Sequence, residues 1–200
     1  MFTVLVKRTE KVKVLSNRTL DERAFEYYEQ AAELGVVEAQ YSLGQMYRKG
    51  LGVEVSYEKA IEYYEKALNL NPNVFAVNYN LGNLYFVRGR EEDALRLLNI
   101  AALINPKKPE THGLLGEIYL KRQQIELARF HLKLAVEIKP NYALAMRNLG
   151  IIYYFHLKKP EEAAVYFSRA LSVDPYQKDA DNIRFLIKKI KEKKNVPRGS

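Results

Sequence analysis

One pattern recurs four times along the 200 residues and governs what the chain can fold into. Leu43-Gly44-x-x-Tyr47, Leu81-Gly82-x-x-Tyr85, Leu115-Gly116-x-x-Tyr119 and Leu149-Gly150-x-x-Tyr153 are each followed by two alanines seven residues apart and then by a proline. The alanine pairs are Ala60 and Ala67, Ala94 and Ala101, Ala128 and Ala135, and Ala163 and Ala170; the prolines Pro72, Pro106, Pro140 and Pro175 lie 34, 34 and 35 residues apart. Leu, Gly and Tyr at i, i+1 and i+4 cluster on one face of a helix, where glycine admits a close neighbour. Alanines seven apart make a smooth stripe on a second helix. Proline cannot continue that helix and restricts the residue before it, so each copy reads as a helix pair with a defined stop. A single pair cannot bury its own apolar faces, so it must stack on the next one.

Six signature positions matched in all four copies resemble the tetratricopeptide repeat family, whose unit of about 34 residues is a helix pair. The resemblance implies an all-α fold, an α-solenoid in which antiparallel helix pairs wind into a right-handed superhelix. The first copy is longer, with thirteen residues from Tyr47 to Ala60 where the next two copies have nine. The extra residues fall in Arg48-Lys49-Gly50-Leu51-Gly52-Val53, and the segment is similar to a Sel1-like repeat, a relative with a glycine-bearing loop. Residues 24–35, AFEYYEQAAELG, resemble the second helix of a further such unit, with Thr19-x-x-Glu22 as a capping box at its start. The expected organisation is a basic, extended or disordered segment over 1–19, a half repeat over 20–36, and repeats over 37–74, 75–108, 109–142 and 143–176. Ile183, Leu186, Ile187 and Ile190 then predict an amphipathic C-terminal capping helix over 177–195. Val196-Pro197-Arg198-Gly199-Ser200 resembles part of a thrombin-cleavage linker added for expression.

The net charge of +8 is distributed unevenly. Residues 1–20 and 177–195 each carry +4, Arg198 adds one, and the body over 21–176 is close to neutral at −1. A nucleic-acid-binding domain would show a basic stripe along its main surface, so the charge weighs less than its size suggests. The chain contains no cysteine, which excludes disulfides and thiolate metal sites. His112, His131 and His156 are the only histidines, and they form no metal-ligand motif such as HExxH. There is no phosphate-cradling glycine loop, nucleophile elbow or cysteine nucleophile, and the four Leu-Gly glycines are packing residues. No cofactor, metal or catalytic activity is expected. No stretch approaches the roughly 20 apolar residues of a spanning helix, and with no signal-peptide pattern a cytoplasmic location is expected.

A binding surface remains. In the family the chain resembles, first helices line a concave groove, and stepping i, i+4, i+7 along the face away from Leu and Gly gives its stripe. That yields Tyr41, Gln45 and Arg48; Tyr79, Asn83 and Phe86; Gly113, Glu117 and Leu120; and Arg147, Ile151 and Tyr154. Aromatics with amide and guanidinium groups suit protein contacts. A partner helix or extended peptide in this groove is the expected ligand, and an adaptor or scaffold the expected role. Chaperone-binding members grip a terminal carboxylate with cations and asparagines, but Tyr41 and Gln45, or Tyr79 and Asn83, followed by Glu110 and Leu114, or Leu144 and Asn148, offer no such clamp. Self-association through Ala24, Phe25, Tyr28 and Ala31 is a specific version of the adaptor role. The alternative is a binder of nucleic acid or anionic membranes acting through Lys188, Lys189, Lys191, Lys193 and Lys194.

Overall fold

The computed structural model describes residues 20–177 and 179–195, and among these every regular element is helical. Helix α1 covers 20–33. It is followed by α2 (Val37–Lys49), α3 (Tyr57–Leu70), α4 (Phe75–Val87), α5 (Glu91–Ile104), α6 (Pro109–Lys121), α7 (Ile125–Ile138), α8 (Ala143–Ile151), α9 (Pro160–Val173) and α10 (Ala180–Asn195). The expected extended segment, the Thr19 end of the capping box and the final five residues lie outside the described residues. The chain divides into two compact units, residues 1–100 and 101–200.

Local chemistry sets the helix boundaries. α3, α5, α7 and α9 each end two residues before Pro72, Pro106, Pro140 or Pro175, as the restriction on the pre-proline residue requires. Asn71 and Asp174 tighten two of these stops, accepting through Oδ1 from the Asn73 and Tyr176 amides at 3.0 and 3.2 Å. Ser56 caps α3 by accepting from the Lys59 amide, and Pro109 and Pro160 open α6 and α9 where a missing amide hydrogen costs nothing. The long loop of the first copy is closed by the Ser56 amide donating to the Tyr47 carbonyl at 2.9 Å. Gly52, at φ +70°, lies so close to α1 that a β-carbon there would sit 2.6 Å from the Asp21 carbonyl carbon.

In each copy the alanine pair of the second helix is fully buried. The glycine of the first helix receives a large side chain from the second. A β-carbon on Gly44 would meet the Tyr64 ring at 2.5 Å, and on Gly82, Gly116 and Gly150 it would meet Leu98 at 2.9 Å, Leu132 at 2.5 Å and Phe167 at 2.5 Å. Burying each of these side chains contributes about 1.5–3 kcal/mol. In the first unit, Phe25 and Ala31 of α1 pack against the cluster of Ala32, Ala39 and Leu43, and the Phe25 ring meets Tyr47 edge-on at 5.5 Å. Part of the apolar edge expected on this helix is thus covered by its own chain, while Tyr28 remains exposed. In the second unit, Leu132, Leu149, Ile152 and Phe167 form a core onto which α10 docks through Ile183, with Leu186 and Ile187 alongside. This is the expected capping helix, with Lys188 and Lys189 outward.

The 35-residue interval has a structural consequence. Tyr153 and Ala163 are one residue farther apart than Tyr119 and Ala128. The extra residue is absorbed by a π-helical turn over Ile152–His156 at the end of α8, where the Leu157 amide donates five residues back to Ile152 at 3.0 Å. The core register of Tyr153 is kept and Phe155 is pushed outward, half exposed.

Candidate functional site

All eleven residues expected to form the binding stripe are half-buried, neither core nor free surface. Gly113, which the same stepping places in the stripe, is fully covered by Tyr142, whose hydroxyl would lie 2.7 Å from a β-carbon there.

In the first unit, α2 and α4 bring their stripes together through a polar chain. Gln45 Nε2 donates to the Tyr41 hydroxyl at 3.0 Å, Arg48 donates to Gln45 Oε1 at 2.9 Å, and Asn80 Nδ2 reaches the same Tyr41 hydroxyl from α4 at 3.4 Å. Asn80 also donates to the Ala76 carbonyl at 2.7 Å, which fixes its amide. Tyr79 stacks on Phe75 with ring centres 5.9 Å apart, and Asn83 and Phe86 continue the face. Beneath this chain lies Tyr64 of α3, fully buried, its ring 5.9 Å from that of Tyr41. Burial pushes the Tyr64 hydroxyl far above its ordinary range, and the Arg48 charge nearby opposes the shift only in part, so the hydroxyl stays a protonated donor. That hydroxyl and Arg48 Nε are both shut off from solvent, with the Arg48 side chain as the hydroxyl's polar neighbour.

In the second unit the stripe is more committed to structure. Leu120, Ile151 and Tyr154 pack against the apolar cluster around Leu132 and Phe167. Arg147 is held by Asp179, just before α10, at 3.1 Å, and its side chain is 19% exposed, so the capping segment occupies the cation of this stripe. Glu117 is half-buried.

The histidines divide by role. His112 sits where Asn78 and Gln40 sit in earlier copies, and all three tie the first helix to a preceding turn. Gln40 donates to the Ala32 carbonyl at 2.8 Å and Asn78 to the Pro72 carbonyl at 2.7 Å, while His112 Nε2 lies 2.9 Å from the Pro106 carbonyl. A carbonyl only accepts, so His112 Nε2 carries the hydrogen and its Nδ1 is free to accept from His131 Nδ1 at 3.2 Å. His131 also stacks on Tyr119 at 5.4 Å. Burial first, and then the neighbouring His112, hold His131 down to about 4. This pair is a packing device. Among the described residues no group of three or more His, Asp or Glu converges as a metal site would require. No described helix is long and apolar enough to cross a membrane.

Stepping along first helices passes over Tyr64, which belongs to a second helix, and Asp179, which lies beyond the repeats. A signal for Tyr64 was present. The positions that receive the Leu-Gly glycine read Tyr64, Leu98, Leu132 and Phe167, and only the first carries a hydroxyl.

Stacked helix pairs closed by a capping helix define an all-α helical-repeat protein of the solenoid class. The chain belongs to the tetratricopeptide repeat family: that repeat matches residues 56–118, 109–142 and 147–177, and the related Sel1 repeat matches 20–36 and 37–72. Tetratricopeptide repeats are protein-interaction modules. Among solved structures, YrrB, described as a TPR protein with an unusual peptide-binding site, superimposes with a TM-score of 0.71 at 24% identity, covering 86% of this chain and 88% of that one. MamA does so with a TM-score of 0.68 at 23% identity, covering 82% and 93%. At these identities the likeness is one of fold. Photosystem I assembly protein Ycf3 of Prochlorococcus marinus is 40% identical over 81 residues, 38% of this chain and 47% of that protein. Anaphase-promoting complex subunit CDC16 of Saccharomyces cerevisiae is 28% identical over 117 residues, 58% of this chain and 14% of that protein. The chain therefore spans less than half the length of these relatives.

Proposed function

We propose that the chain is a non-catalytic adaptor or scaffold that holds a partner helix or extended peptide against its first-helix stripe residues, Tyr41, Gln45, Arg48, Tyr79, Asn83 and Phe86 in the first unit and Glu117, Leu120, Arg147, Ile151 and Tyr154 in the second. The observation that carries this reading is the half-buried state of the whole stripe. Aromatic and amide side chains held at that depth present large contact areas with little further loss of freedom on binding. Family membership supports the same reading, as do the assembly and complex roles in the names of Ycf3 and the anaphase-promoting subunit. Tyr27 and Tyr28, exposed on α1, leave room for a second copy as one such partner.

The test is affinity capture from nuclease-treated lysate at low and high salt, comparing the unmodified chain with a Tyr79→Ala, Phe86→Ala double variant of matched thermal stability. A protein captured at both salt levels and lost with the variant is the expected result. Capture unaffected by the variant and abolished by salt would transfer the function to the basic termini.

A further inference from the structure

α1 and α10 each pack one face on their own unit and present the other to solvent. The outer side of α1 carries Leu20 and Tyr27, with Leu34 just past the helix end, at 62%, 78% and 84% exposure. They are seven residues apart, so they line one side of the helix. Glu22, Glu26, Glu29 and Glu33 recur at i, i+4, i+7 and i+11 and form an acidic ridge along the same helix, which carries Arg23 as its one base. α10, docked through Ile183, turns Phe185 outward at 64% exposure, with Lys188 and Lys189 one turn on and Lys191 beyond them, all exposed. Arg184 is tied to Asp181 at 2.7 Å and to the Pro175 carbonyl at 2.6 Å, while Lys188 faces Glu192 at 3.9 Å in an exposed pair of little energetic weight. The lysines therefore set the charge of this face.

Each outer face combines an exposed aromatic ring with charge, acidic on α1 and basic on α10. Pairing α1 with α1, or α10 with α10, would bring like charges together. Pairing α1 with α10 brings opposite charges together and buries an aromatic ring from each side. An anionic lipid surface would satisfy α10 but repel the equally apolar face of α1. We propose that the outer face of α1 docks on the outer face of α10 of a second copy of this chain, Tyr27 against Phe185 and the glutamate ridge against the lysines. The contact is head-to-tail. Each added copy leaves one α1 and one α10 open, so assembly continues past the dimer into a chain or ring. One helix face on each side is a small interface, so association is weak and favoured by high protein concentration and low salt. No stripe residue takes part, so the contact goes beyond the groove reading and does not depend on it.

The test is light scattering of the full chain over a range of concentrations at low and high salt. Two variants of matched circular dichroism and thermal stability are compared with it: Glu26→Lys, Gln30→Lys, Glu33→Lys on α1, and Lys188→Glu, Lys189→Glu, Lys191→Glu on α10, all at exposed positions. The mass of the unmodified chain should rise with concentration past that of a dimer at low salt and fall back at high salt. Each variant alone sets like charge against like and should need at least about tenfold more protein to assemble. An equimolar mixture of the two should regain assembly, because the unaltered α10 of one variant meets the unaltered α1 of the other. A mass that stays monomeric for the unmodified chain would overturn the proposal, and growth that stops at a dimer would overturn the head-to-tail arrangement. Growth unchanged in either variant would overturn the assignment to α1 and α10. Sedimentation with phosphatidylserine vesicles that is lost in the lysine variant, with no growth in mass, would overturn it in favour of a lipid surface for α10.

Discussion

The coupled histidines of the second unit make its stability sensitive to acid in a calculable way. His131 is held down to about 4 in the folded chain, mainly by burial, against an ordinary value near 6.5. Between those values the unfolded chain binds a proton that the folded chain refuses, so stability is lost as pH falls below about 6.5 and the loss levels off below about 4. Each pH unit in that window costs about 1.4 kcal/mol, so going from pH 7.0 to 4.5 should cost about 2 kcal/mol from this residue alone. Carboxylates elsewhere titrate over part of the same range, so the comparison is with His131→Gln. That side chain keeps an uncharged donor within reach of His112 and cannot titrate. Urea unfolding followed by far-ultraviolet circular dichroism at the two pH values should show an acid loss about 2 kcal/mol smaller in the variant. Equal acid losses in the two proteins would refute the idea that His131 is forced neutral by its surroundings.

Two further outcomes follow from the packing. Gly116→Leu must push a β-carbon to 2.5 Å from Leu132 and 3.3 Å from the Ala128 carbonyl, so thermal denaturation should show a loss of at least about 2 kcal/mol, whereas Tyr79→Ala should cost far less. Equal losses would mean that Tyr79 serves the core rather than the stripe. Ile183→Ala should cost about 2–4 kcal/mol and release α10, read as faster amide exchange from Ala180 onward with α6 and α7 protected. Unchanged exchange in α10 would show that its docking does not depend on Ile183.

Much of this structure is written in short-range chemistry and so was legible without coordinates. Leu-Gly-x-x-Tyr, the alanine pairs and the prolines each act within one helix or between two that adjoin in sequence, and the helix stops fall where proline's steric demands put them. The capping helix was readable for the same reason, since Ile183, Leu186, Ile187 and Ile190 announce one apolar face. Even the π-helical turn was foreshadowed by an interval of 35 residues, although counting alone does not say whether an extra residue lengthens a loop or swells a helix. Keeping Tyr153 in the core decided that.

Other properties depend on which side chains meet across elements, and periodicity along one helix is blind to that. It places Arg48 and Arg147 in equivalent faces but cannot tell that Asp179 neutralises one while Gln45 and Tyr64, both uncharged, attend the other. It marks Gly113 as groove when Tyr142 covers it, and it passes over Tyr64 because that residue reaches the stripe from behind. His112 and His131 read as isolated histidines nineteen residues apart until the helix pair brings their Nδ1 atoms to 3.2 Å. Repeats determine a backbone because each copy needs only its neighbour. Charge pairing and desolvation arise where side chains from separate helices share a space, so only the tertiary structure could decide them.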